Sequence, residues 1–231
     1  MTRIPEKLKV FDAINSISAA SSVGTLNEHS VHSFLKRYYE TESDAHEIKI
    51  GRFVADIVGE SGIIEIQTGS FDRLQKKLKA FTEYARVTVV YPIYTKRKVI
   101  FPSNGRNYTS PKHDTIYKIF GEIYKIKDFI KNPNVSFIIA ELTVNEYRKT
   151  INKKKSQVTD RIVTGFEKEI IFETIDDFEI FLPKQNEFTA KEFSAHSGLY
   201  GIDGWGALKI LTEIGLIDVD KTKKEFVYFK K

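Results

Sequence analysis

Asp56 and Glu65 flank the tetrapeptide Gly59-Glu60-Ser61-Gly62 inside the stretch EIKIGRFVADIVGESGIIEIQTG, Glu47 to Gly69. Short apolar runs on both sides of so turn-rich a segment predict a β-hairpin. Residues two apart share a strand face, so Asp56 lies with Val54 and Val58, and Glu65 with Ile63 and Gln67. A turn centred between Glu60 and Ser61 pairs Gly59 with Gly62, Val58 with Ile63, and Asp56 with Glu65. Facing Cβ atoms are about 4.5–5.5 Å apart, and like charges placed there destabilise a sheet. A divalent cation reverses the sign of that interaction, and paired oxygen ligands suit Mg²⁺ or Mn²⁺. The alternative is a pair of exposed acids on a solvated hairpin.

A third acid precedes the hairpin. In TLNEHSVHSFLKRYYE, Asn27 is placed to cap a helix whose apolar face carries Val31, Phe34, Leu35 and Tyr38. Glu28 falls on that face at the first turn, where a carboxylate is costly unless paired or bound to metal. It also suits the helix N-terminus electrostatically. His29 and His32 share the turn and, with no third ligand nearby, read as surface residues.

The 231 residues carry 36 Lys and Arg against 31 Asp and Glu, a formal charge of +5. That excess tolerates a polyanionic partner without demanding one. Its distribution is more informative. Between Tyr94 and His113 lie Lys96, Arg97, Lys98, Arg106 and Lys112 with no acid among them, interleaved with Tyr94, Phe101 and Tyr108. A second cluster, RKTINKKK, spans Arg148 to Lys155. Such stretches can track a phosphate backbone with aromatic rings available for stacking, or simply be solvated loops. There is no cysteine, hence no disulfide framework or thiolate metal site, which fits a cytoplasmic protein. No apolar run is long enough for a membrane helix.

Around these residues the chain reads as alternating helices and strands. Residues 1–24 form an N-terminal helical extension. Phe71 to Tyr84 is a helix with Leu74, Leu78 and Phe81 on one face. ARVTVVYPI is a buried strand stopped by Pro92, and Tyr94 to Pro111 follows as a basic loop. Asp114 to Lys131 reads as one long amphipathic helix, Val135 to Val144 as a strand, and Asn145 to Asp160 as an exposed connection. A strand at Glu169 to Thr174 and a short helix at Ile175 to Leu182 complete the domain 25–182. A boundary falls at Pro183 to Asn186. In the tail, 183–231, Thr189 with Glu192 forms a capping box and Phe188 with Phe193 a hydrophobic staple. A helix over Asp203 to Ile214 presents Trp205, Leu208 and Leu211, and Leu216 to Lys231 alternates as a hairpin.

The pattern Asp56, turn, Glu65-x-Gln67 resembles the PD-(D/E)xK nuclease superfamily, as does the order helix, three strands, helix, strand. The resemblance implies a restriction-endonuclease-like αβββαβ core with a mixed sheet. It implies Mg²⁺ (or Mn²⁺) held by Asp56 and Glu65, and Glu28 as the acid of the preceding helix. Gln67 stands where lysine is usual, as in some members. The tail resembles a winged helix-turn-helix, in which the second helix faces DNA; Lys209 is its only basic side chain. The function expected is metal-dependent hydrolysis of a nucleic-acid phosphodiester, DNA foremost, with a homodimer left open and no membrane partner. The alternative is a non-catalytic DNA-binding or regulatory protein on a nuclease-derived fold.

Overall fold

A computed structural model of the protein describes residues 31–152, 154–222 and 225–231. The expected helical extension over residues 1–24, and Glu28, lie outside them. The fold is α/β, with a mixed, largely antiparallel sheet and several helices. Its first half runs α1 (Val31–Tyr39), β1 (His46–Ile50), β2 (Phe53–Gly59), β3 (Gly62–Ile66), α2 (Leu74–Phe81) and β4 (Val87–Phe101). There follow β5 (Arg106–Thr109), α3 (Phe120–Ile123), β6 (Val135–Asn152), β7 (Lys155–Phe172), β8 (Glu187–Thr189), α4 (Ala190–Ser197), α5 (Gly201–Glu213), β9 (Ile217–Asp220) and β10 (Val227–Lys230).

Among the described residues these strands build a seven-stranded sheet, ordered β1-β2-β3-β4-β6-β7 with β5 on β4, and a three-stranded sheet, β8-β10-β9. The β1–β2, β2–β3 and β4–β5 pairs are antiparallel. Between β4 and β6, Thr88 Oγ1 meets Ser136 Oγ at 2.9 Å and Thr95 Oγ1 donates to the Leu142 carbonyl at 3.3 Å. That nearly constant offset marks a parallel pair, which requires the intervening segment as its crossover.

The chain divides into two compact units. One holds the described residues up to Thr68, Pro92–Thr115 and Ala140–Glu169; the other holds Gly69–Tyr91, Ile116–Ile139 and Ile170–Lys231. In the first, Leu35 of α1, Ala55 and Ile57 of β2, and Ile63 of β3 are buried. In the second, Leu74, Leu78 and Phe81 all face inward from α2, as their spacing requires.

Several local expectations are corrected. β4 does not stop at Pro92 but runs on to Phe101, and β5 returns against it, so the basic segment is a hairpin rather than a loop. Proline's fixed φ matches extended backbone, so it removes one donor without bending the strand. The polar connection Asn145 to Asp160 is likewise the end of β6 and the start of β7. Asp114 to Lys131 is no continuous α-helix: 3-10 turns at Ile116–Ile119 and Tyr124–Phe129 bracket the single turn of α3, with Ile126 at φ −125°. Its isoleucines, β-branched and stacked on one face, are weak helix formers. Ile175 to Leu182 is also a 3-10 turn, Asp176–Phe181.

The tail's start signal forms as expected. Thr189 Oγ1 accepts from Glu192 N at 3.2 Å, and Glu192 Oε2 accepts from Thr189 N at 2.7 Å. Gly198, at φ 74°, takes the left-handed position that ends α4. The second helix begins at Gly201 and ends at Glu213, followed by the β9–β10 hairpin. β8 adds a third strand beside β10.

Candidate functional site

The β2–β3 hairpin has the register its alternation requires: Gly59 faces Gly62, Val58 faces Ile63, and Ile57 faces Ile64. Gly62 turns the chain at φ 108°, a conformation open to glycine. Beyond Ile57 the ladder changes character. Asp56 N donates to Glu65 Oε1 at 3.2 Å, and Ile66 N donates to Asp56 Oδ2 at 2.8 Å. Two backbone amides that would meet carbonyls in a regular ladder are turned onto carboxylates instead. Asp56 and Glu65 are thereby fixed against each other across the strand pair. Glu65 is fully buried, and the Asp56 side chain is 16% exposed.

α1 and β1 supply the surroundings. His32, read from sequence as a surface residue, is half-buried with Nε2 at 3.3 Å from Asp56 Oδ2. One turn later Lys36, only 13% exposed, reaches Glu47 Oε1 at 2.7 Å. β1 pairs His46 with Ile57 and Ile48 with Ala55, which puts Glu47 level with Asp56. Glu47 adopts φ 55°, the one positive φ outside glycine among the described residues. Such a conformation costs a non-glycine residue about 1–2 kcal/mol. It delivers the Glu47 carboxylate to Lys36, whose hydrogen bond and charge hold that carboxyl below its ordinary value. His32 adds to this and Asp56 opposes it. Glu47, Asp56 and Glu65 thus occupy one row across β1, β2 and β3. Sequence reasoning missed His32, Lys36 and Glu47. The four-residue step from His32 to Lys36 was a legible sign that both share a face of α1.

The remaining candidates are placed as follows. Gln67 directly follows β3 and is half-buried, and its side chain makes no hydrogen bond to the described residues. Lys96 and Lys98 are exposed on β4, with Lys96 Nζ at 3.5 Å from Glu167 Oε1. Arg97 turns inward to Asp114, Nη2 to Oδ1 at 2.7 Å. Arg106 lies over the rings of Tyr108 and Phe101, and Lys112 is exposed. Lys209 in α5 lies 5.0 Å over the Trp205 ring and donates to Tyr124 Oη at 3.4 Å. Among the described residues, no three His, Asp or Glu side chains are placed to hold a metal together.

An α/β sheet carrying an acidic row on its first three strands defines the class, and sequence comparison supplies the family. A domain of unknown function, DUF8091, matches residues 29–173, and the chain belongs to that family. The matched range takes in α1, the acidic row and all seven strands of the larger sheet. A protein of Treponema pallidum (strain Nichols), described as uncharacterized, is 29% identical over 150 residues. The alignment covers 61% of this chain and 60% of that protein, so the chain spans less than two thirds of its relative's length. No solved structure matches the chain. No helix among the described residues is long and apolar enough to cross a membrane.

Proposed function

We propose that this protein is a metal-dependent nuclease that hydrolyses a nucleic-acid phosphodiester, DNA foremost, in the cytoplasm. One observation carries the reading. Asp56 and Glu65 are tied together across β2 and β3, Asp56 N donating to Glu65 Oε1 and Ile66 N to Asp56 Oδ2, with Glu65 fully buried. Like charges so placed are unfavourable in the absence of a cation. The order α1-β1-β2-β3-α2-β4 supports a restriction-endonuclease-like αβββαβ core of PD-(D/E)xK type. α4, α5 and the β9–β10 hairpin support a winged helix.

The donor set fits Mg²⁺ or Mn²⁺. Mg²⁺ is commonly held by one or two carboxylates plus substrate phosphate and water, so Asp56 and Glu65 suffice as protein ligands. Glu28 is the further acid that the family resemblance implies. When bound, the ion supplies Lewis-acid polarisation of the phosphoryl oxygen and acidifies the attacking water. The backbone amides of Asp56 and Ile66 fix the two carboxylates in place. Gln67, a neutral amide, orients water by hydrogen bonding but offers no charge to the transition state. His32 Nε2, at 3.3 Å from Asp56 Oδ2, restrains that carboxylate.

Assays on single-stranded, duplex and branched DNA and on RNA test the reading. Cleavage is expected with Mg²⁺ or Mn²⁺ and not with Ca²⁺, and it is lost in Asp56→Ala and Glu65→Ala. The second reading, a non-catalytic DNA-binding or regulatory protein, is favoured by Gln67 standing where lysine is usual. It wins if no substrate is cut while Asp56→Ala binds nucleic acid as the parent does.

A further inference from the structure

A second buried acid lies in the same compact unit as the acidic row. Glu146 of β6 is 1% exposed, and each of its oxygens accepts from the Nε of a different arginine. Arg148 reaches Oε1 at 2.7 Å, and Arg161 of β7 reaches Oε2 at 2.8 Å. Burial alone would raise the Glu146 carboxyl, but the hydrogen bonds and charges of the two arginines bring it below its ordinary value. The cluster extends across β4. The Arg161 guanidinium lies 4.9 Å over the Tyr94 ring and that of Arg97 lies 5.9 Å from it, and Arg97 is balanced by Asp114. Three guanidinium groups therefore face two carboxylates in a patch where every arginine is at most 32% exposed.

Here one carboxylate orients two arginines, each held through its Nε, and Arg161 also hydrogen-bonds Tyr94. Arg148 commits Nη1 to Ser156 at 2.9 Å. Guanidinium is weakly hydrated and matches phosphate oxygens in pairs, so a rigid surplus of it on a strand surface is suited to an anion of that shape.

We propose that Arg148 and Arg161, oriented by Glu146 and backed by Tyr94 and Arg97, form a phosphate-binding site that seats the backbone of a nucleic acid. The site rests on the nucleic-acid reading above and deepens it by naming where the substrate's phosphates lie. Glu146 is a positioning residue: it strengthens anion binding although it is itself an anion.

The test is equilibrium binding of a labelled single-stranded oligonucleotide and its duplex to the full chain in EDTA, where no cleavage intervenes. A failed nuclease reading and a failed phosphate site are thereby told apart. Arg161→Ala should weaken binding about tenfold and lower the slope of log affinity against log salt by about one. Lys79→Ala, an equal charge change at an exposed site on α2, serves as the reference for non-specific charge. The discriminating variant is Glu146→Gln, expected to weaken binding about fivefold despite making the protein more positive. Should these variants melt early, Arg161→Lys and Arg148→Lys decide, each losing affinity because ammonium lacks the fork. Binding by Glu146→Gln equal to or tighter than the parent, or Arg161→Lys equal to the parent, overturns the proposal. So does thermal stabilisation by inorganic phosphate that Arg161→Lys abolishes while oligonucleotide affinity stays unchanged, since the site would then serve free phosphate.

Discussion

Glu65 and Glu146 are both buried glutamates in one compact unit, yet they are held in different ways. Glu146 is gripped by two guanidinium groups, and the resulting cluster carries a surplus of positive charge. Glu65 is tied to Asp56 across the strands, Asp56 N donating to Glu65 Oε1 and Ile66 N to Asp56 Oδ2. A protein that can surround one buried acid with arginine and places another against an acid has used two different solutions to the same desolvation cost. The first fits a stable strand pair that also presents guanidinium to an anion. The second fits a site tuned for a cation.

The largest effect expected from breaking this contrast is on activity. Asp56→Ala and Glu65→Ala each remove half of the proposed cation site and should lower cleavage about a thousandfold or more, measured as initial rate at saturating Mg²⁺. Gln67→Ala, which removes only orientation, should leave a slower enzyme, and Gln67→Lys should preserve or raise the rate.

Stability should separate the two acids by sign. Glu146→Ala leaves two half-buried guanidinium groups without their carboxylate and should cost about 3 kcal/mol in urea unfolding. Asp56→Asn relieves like-charge repulsion and should stabilise the metal-free protein by about 1 kcal/mol. Responses of opposite sign at the two sites would sharpen the comparison; destabilisation by both would collapse it.

Acid titration gives a finer test. Because the folded protein holds the Glu146 carboxyl below its unfolded value, its contribution is complete above about pH 5 and is lost as pH falls through the folded value. The stability gap between the parent and Glu146→Gln should thus be constant near neutrality and close in acid. In the tail, Thr189→Ala removes the cap of α4 and should cost about 1 kcal/mol by thermal melt, with no effect on either buried acid.

The parts of the molecule legible in sequence are those set by local chemistry. The β2–β3 register follows from alternation and two glycines, the α4 cap from Thr189 and Glu192, and α2 from the spacing of its apolar residues. The long arms of β4, β6 and β7 were not legible. Their outer halves are polar and lysine-rich, and what keeps them extended lies across strands. Arg161 meets Glu146, Thr143 Oγ1 donates to Glu167 at 2.8 Å, and Thr159 Oγ1 donates to the Tyr147 carbonyl at 3.1 Å. Glu146 was accordingly absorbed into an apparent loop. In the candidate site, Asp56 and Glu65 followed from hairpin geometry, whereas Glu47 owes its place to one residue at φ 55°, which no periodicity reveals. His32 reads from sequence as a surface residue, and only the packing of α1 picks it out.

The central claim is that the Asp56–Glu65 pair is a divalent-cation site, and calorimetric titration of the full chain with Mn²⁺ tests it most directly. Saturable binding is expected in the parent, with competition by Mg²⁺ and loss of that binding in both Asp56→Ala and Glu65→Ala while Glu146→Gln retains it. Mn²⁺ binding that survives in Asp56→Ala, or that is absent from the folded parent, would contradict the account.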